Sequence, residues 1–121
     1  MKRLILWKNS KMIYLVLPTF IVFALALGGC AAPLIKAAKK GNAQKVIELL
    51  NKGADVNKGD MAGQTALMSA AFYGKSEVVK ILLAHGAKVD QKNNGGLAAA
   101  GFAGLGGHND IIKILMIFFI T

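Results

Sequence analysis

The sequence predicts an all-α solenoid, with about two and a half to three helix-turn-helix units joined by β-hairpin-like loops. An apolar N-terminal signal helix precedes it. Three observations carry this reading. The chain overlays itself when shifted by 33 residues: Ala37-Ala38 falls on Ala70-Ala71, Gly41 on Gly74, Val46 on Val79, Leu49-Leu50 on Leu82-Leu83, and Gly53-Ala54 on Gly86-Ala87. A second shift of 33 carries Gly74 to Gly107, Val78-Val79 to Ile111-Ile112, Lys80 to Lys113 and Leu82 to Leu115. Such a period marks stacked supersecondary units, none of which can bury its apolar face alone. Inside each period, apolar residues recur at three-to-four spacing between glycines, the pattern of short amphipathic helices. The first 29 residues, finally, belong to a different class of sequence.

That leading segment comes first in the chain. Lys2, Arg3, Lys8 and Lys11 form a basic head, and residues 12–27 form an apolar run interrupted only by Pro18 and Thr19. Positive charge ahead of an apolar run is the layout of a bacterial export signal. The run ends in Leu27-Gly28-Gly29-Cys30, which resembles the lipobox of a bacterial lipoprotein signal peptide. The resemblance implies cleavage before Cys30 and lipidation of its sulfur, with residues 1–29 as signal peptide and 30–33 as a lipidated tether; an uncleaved membrane anchor with an unremarkable cysteine is the other reading of the segment. Cys30 is the one cysteine of the chain, so no intrachain disulfide is possible. Two or more acyl chains anchor stably, at about 0.8 kcal/mol per buried methylene. A cell-envelope location follows as an expectation, facing periplasm or exterior, with the outer membrane favoured by Ala31 after the cysteine if two membranes are present.

The first unit is placed at 34–59, with helices over 34–40 and 43–52. The second, at 60–92, carries the fullest wording. Thr65 is a natural N-cap for a helix over 65–73, its hydroxyl meeting an orphan amide of the first turn. Ala70 and Ala71 keep that helix thin enough to lie close to its neighbours. Gly74 and Gly86 suit the left-handed conformation that ends a helix, bracketing a second helix over 75–85 whose Val79, Leu82 and Leu83 face a core. Lys58-Gly59-Asp60-Met61-Ala62-Gly63 has the chemistry of a tight hairpin.

These words resemble the ankyrin repeat, whose usual pattern runs Gly-x-Thr-Pro-Leu-His, Ala-Ala-x-x-Gly-His, Val-Val-x-Leu-Leu, then Gly-Ala-x-Val-Asn. Gly63 to Asp90 matches it most densely, with Ala66 in place of the usual proline and Met68 in place of the usual histidine. The 34-residue tetratricopeptide repeat lacks the Gly-Ala-x-Val-Asn exit present at Gly53 and Gly86.

The third unit, at 93–121, is degenerate. Its first-helix slot from about Ala98 has lost the threonine and leucine of its counterpart and gained Gly101 and Gly104. Each glycine costs a helix interior about 0.8–1 kcal/mol relative to alanine. Met116-Ile117-Phe118-Phe119-Ile120 stands where a polar helix end is expected, as in a truncated repeat. Ten apolar residues do not span a bilayer.

Charge narrows the partners. Four of the fifteen basic residues precede position 12, so residues 30–121 hold eleven lysines against six acids, a formal +5. Only Lys36, Lys39 and Lys40 form a dense group, and an export signal disfavours nucleic acid. The sequence offers no catalytic or metal constellation. His85 ends a helix and His108 begins one, both at structural positions, while Asp55, Asp60 and Asp90 are turn residues without the spacing of an EF-hand. The chain therefore reads as a non-enzymatic binding module, with no cofactor and no small-molecule substrate. The expected partner is a protein, and the membrane is contacted through lipidated Cys30. In ankyrin stacks, partners usually touch hairpin tips and the exposed side of the first helix. Carried over by position, the binding residues are Lys39, Lys40, Met61, Ala62, Gln64, Phe72, Tyr73, Asn94 and Leu97, with Gly95 beside the last two. An immunity or inhibitor protein acting through that surface, or a remnant without present function, are the other readings the sequence leaves open.

Overall fold

The computed structural model describes residues 32–120. Within them six helices form three consecutive pairs: α1 (Ala32–Lys40) with α2 (Ala43–Asn51), α3 (Ala66–Phe72) with α4 (Ser76–Ala84), and α5 (Ala99–Gly106) with α6 (Asn109–Ile120). No strand occurs among the described residues. The first helices α1, α3 and α5 pack side by side in one row, and the second helices α2, α4 and α6 pack in another behind it. The expected signal helix and Cys30 lie outside the described residues.

The core follows from small residues in front and branched residues behind. Ala37, Ala38, Ala70, Ala71, Ala99 and Ala103 are buried along the first row, where their single methyl groups let helix axes approach closely. Val46, Val79, Leu82, Ile111 and Leu115 fill the second row at the spacing the repeat predicts. The helices are nine residues long or less except α6, too short to persist alone in water. Packing between repeats, not local propensity, holds them.

Caps define the ends. The Asn42 side chain accepts a hydrogen bond from the Lys45 amide at 3.1 Å, opening α2. At α3 the Thr65 hydroxyl accepts from the Met68 amide at 3.3 Å, while the Met68 sulfur accepts from the Thr65 amide at 3.4 Å. Met68 thus completes a reciprocal capping box with a thioether, a weak acceptor in a role usually filled by Glu or Gln.

Gly74 shows why the period is held at the helix–helix turn. It sits at φ +71, as Gly41 and Gly107 sit at +75 and +78 one repeat away on either side. A Cβ there would meet the His108 imidazole at 2.5 Å, because His108 lies over Gly74 just as Lys75 lies over Gly41. The turn needs glycine twice, for its dihedral and for the side chain laid across it.

The third unit is better built than its composition suggests. α5 and α6 form and pack like the pairs before them. A Cβ on Gly106 would collide with the Phe72 carbonyl oxygen, so this glycine lets α5 close against the end of α3. Gly104 has no such neighbour, its nearest contact being Ile112 at 3.9 Å, and its helical cost stands uncompensated.

Loops repeat too. Asp60 Oδ1 accepts from the amides of Ala62 and Gln64 at 2.9 and 3.0 Å, and Asn93 Oδ1 accepts from those of Gly95 and Leu97 at 2.9 and 2.8 Å. These side chains build equivalent turns one period apart. The hairpins also join each other: the Asn94 amide nitrogen and side chain donate to the carbonyls of Ala62 and Met61 at 2.9 and 3.0 Å. Deeper in the loops, Asn57 Nδ2 donates to the Gly86 carbonyl at 3.2 Å and its Oδ1 accepts from the Lys88 amide at 2.8 Å.

Candidate functional site

The two-row architecture leaves one face of α1, α3 and α5 open beside the hairpins. A groove of about 320 Å³ runs there. Its floor comes from Ile35, Met68, Ser69 and Phe102, and its sides from Lys39, Phe72, Tyr73, Asp60 and Gln64.

Three aromatic rings organise it. Phe72 and Tyr73 meet edge to face with centroids 5.0 Å apart, and Phe72 meets Phe102 of the next repeat edge to face at 6.4 Å. The Lys39 ammonium lies 5.3 Å from the Tyr73 ring centre, a cation–π contact between the first and second repeats. Phe72 and Tyr73 remain 37% and 44% exposed, so each ring spends part of its surface on neighbouring repeats and offers the rest to solvent. Such side chains bury large area at small entropic cost when a partner covers them.

Of the residues predicted from sequence, the groove brings together Lys39, Gln64, Phe72 and Tyr73. Lys40 is exposed but outside it, and Met61, at 98% exposure, stands at the hairpin tip beside Ala62. Asn94 is exposed, yet its side chain is engaged with the Met61 carbonyl. Leu97 is half-buried and lies over Gly101, where a Cβ would meet it at 2.7 Å, so part of its surface packs within its own repeat. Sequence reasoning missed Ile35, Asp60, Met68, Ser69 and Phe102 as lining residues. The signal was available: Ile35 and Met68 are 33 apart, as are Ser69 and Phe102.

Charge is asymmetric around the stack. Both ion pairs among the described residues use Glu48 on α2, held by Lys45 at 2.8 Å and Lys52 at 3.5 Å. The Lys45 ammonium, by hydrogen bond and by charge, holds the Glu48 carboxyl below its ordinary range. The Ser76 hydroxyl donates to Asp110 Oδ2 at 3.0 Å and lowers that carboxyl as well. The two histidines have local packing roles. His85 Nδ1 lies 2.9 Å from the Ile81 carbonyl at the end of α4, and His108 covers Gly74. Among the described residues no three His, Cys, Asp or Glu side chains cluster as a metal site would require. None of the described helices is long and apolar enough to cross a membrane.

A family model described as ankyrin repeats (3 copies) matches residues 22–93, more than half of the chain. The match begins inside the apolar run of residues 12–27 and stops before α5, so the third helical pair keeps the architecture beyond the matched residues. No curated protein matches the chain.

Proposed function

Because this chain belongs to the ankyrin-repeat family, a family of protein-interaction modules, we propose that it is a membrane-tethered lipoprotein of the bacterial cell envelope. It grips a protein partner through the open face of α1, α3 and α5. The observation that carries the binding face is the half-exposed Phe72–Tyr73 pair beside Lys39 in the groove. The tether rests on the order of basic head, apolar run and Leu27-Gly28-Gly29-Cys30 in the sequence.

The two parts are tested separately. Metabolic labelling with a fatty-acid probe should mark the wild type and leave Cys30→Ser unmarked; equal labelling of both refutes the tether. A photo-crosslinking residue placed at Tyr73 should capture a discrete partner in cells. Capture should disappear with Phe72→Ala while circular dichroism and melting stay nearly unchanged. Crosslinking that ignores Phe72, or melting that collapses, removes the aromatic pair as a contact surface.

A further inference from the structure

The row of first helices changes chemistry along its length. In register at the 33-residue period stand Lys39, Phe72 and Leu105, beside Lys36, Ser69 and Phe102. One end is therefore cationic, the middle aromatic and the far end apolar. None of α1, α3 and α5 contains a carboxylate; the acids of the second row, Glu48, Glu77 and Asp110, sit on or beside α2, α4 and α6. Among the described residues, Lys36, Lys39 and Lys40 have no carboxylate within ion-pair distance, since both ion pairs belong to Glu48. The one acid lining the groove, Asp60, has Oδ1 engaged by two backbone amides of its own turn. At the other end Leu105 is 69% exposed with Phe102 partly open beside it.

We infer that the groove takes a short extended peptide segment of its partner, with carboxylates at one end set against Lys39 in the groove and Lys36 and Lys40 beside it. A bulky apolar side chain at the other end lies against Phe72, Phe102 and Leu105. This rests on the reading that the first-helix face is the partner-binding face. The segment length follows from geometry. Neighbouring packed helices lie about 8–10 Å apart, so two steps from α1 to α5 span about 16–20 Å. An extended chain at about 3.3 Å per residue covers that with five or six residues. A nucleic-acid strand would need cationic groups along its whole track, and here they occupy one end.

Binding of the full chain, in mild detergent, to an array of random-sequence hexapeptides tests this. The expected result is enrichment of peptides with two or more Asp or Glu at one end and Leu, Phe or Ile at the other. Replacing the acids by Asn or Gln should weaken binding about tenfold or more, and added salt should do the same. The double variant Lys36→Glu, Lys39→Glu should transfer the preference to peptides with Lys or Arg in those places, a gain that an unfolded protein would not show. Enrichment that depends on Phe72 and Tyr73 yet ignores carboxylates overturns the inference and leaves the binding face standing. Enrichment indifferent to Phe72 and Tyr73, or none at all, overturns both. Vesicles of neutral and anionic phospholipid form a separate arm: retention on anionic vesicles that Lys36→Glu, Lys39→Glu abolishes, without acidic peptide binding, assigns the lysines to a lipid surface and overturns the inference.

Discussion

Asn57 is the sharpest place to measure how one repeat holds the next. Its half-buried side chain reaches across the repeat boundary, donating to the Gly86 carbonyl at 3.2 Å and accepting from the Lys88 amide at 2.8 Å. Asn57→Ala removes both bonds, while the Gln91 side chain keeps its own bond to the Asn57 backbone carbonyl at 3.0 Å. A net intramolecular hydrogen bond contributes about 0.5–1.5 kcal/mol. Two of them in a partly solvated loop, where water replaces some of the loss, give an expected destabilisation of about 1–2 kcal/mol. The period supplies the control. Asp90 stands 33 residues later and its side chain makes no hydrogen bond among the described residues, so Asp90→Ala should fall within about 0.5 kcal/mol of the parent.

Equilibrium urea unfolding followed by circular dichroism reads the difference, and an unchanged m value keeps the comparison clean. Hydrogen exchange locates it. The Lys88 amide should lose protection in Asn57→Ala, while the neighbouring Ala87 amide, bonded within its repeat to the Leu82 carbonyl at 2.9 Å, should follow only the global change. Equal losses for Asn57→Ala and Asp90→Ala, or a Lys88 amide that exchanges no faster than Ala87, would refute a side-chain link between repeats.

Three further outcomes are expected. Gly86→Ala, at φ +90 with open space around it, should cost only the left-handed strain of about 1–2 kcal/mol; Gly74→Ala should cost more because its methyl meets His108, and thermal melts of the pair check the order. Asp110 and Glu48 have folded pKa values lowered by Ser76 and Lys45, so their stabilising contribution exists above the ordinary carboxylate range and is lost as pH falls through the lowered values. Ser76→Ala should flatten the acid limb of a stability-against-pH curve, and an unaltered limb refutes the role of that bond. In α6, Leu115→Ala should cost about 2–4 kcal/mol because Leu115 is buried, whereas Phe119→Ser should change stability by about 0.5 kcal/mol or less because Phe119 is 66% exposed. Similar losses at both positions would mean that the apolar end of α6 is covered.

The period made most of the fold legible, because helix ends and core positions are both fixed by local chemistry. The expected helix at 43–52 is one residue longer than α2 (Ala43–Asn51) at its end, and that at 75–85 is one residue longer than α4 (Ser76–Ala84) at each end. Thr65 caps α3 as its position required. What single residues could not announce was the neighbour each side chain would find in the folded stack. Met68 read as a departure from the family pattern, yet its sulfur reaches the Thr65 amide and keeps the box closed. Asn94 read as a contact residue, and its side-chain amide also donates across the hairpins to the Met61 carbonyl. Leu97 read likewise, and the absent side chain of Gly101 also leaves room for it to pack. Only for Asn94 does that neighbour lie a full period away; the Met68 and Leu97 contacts are local and use atoms that the repeat pattern does not specify.

The same reasoning explains how a glycine-rich α5 holds its place. In an isolated helix, Gly101, Gly104 and Gly106 would count only as lost propensity. In a stack, a helix is stabilised by how closely it can approach its neighbour, and the missing side chain is then a gain in contact. Gly106 removes the atom that would strike the Phe72 carbonyl, bringing Phe102 within edge-to-face range of Phe72. That approach also shapes the groove, since Phe72 and Phe102 both line it. The composition that weakens the third repeat locally is therefore tied to the aromatic surface proposed for binding. A Gly106→Ala variant should push α5 away from α3, separate the Phe72 and Phe102 rings, and weaken partner capture even where melting changes little. Retained capture with a displaced α5 would show that binding depends on Phe72 and Tyr73 without their neighbour.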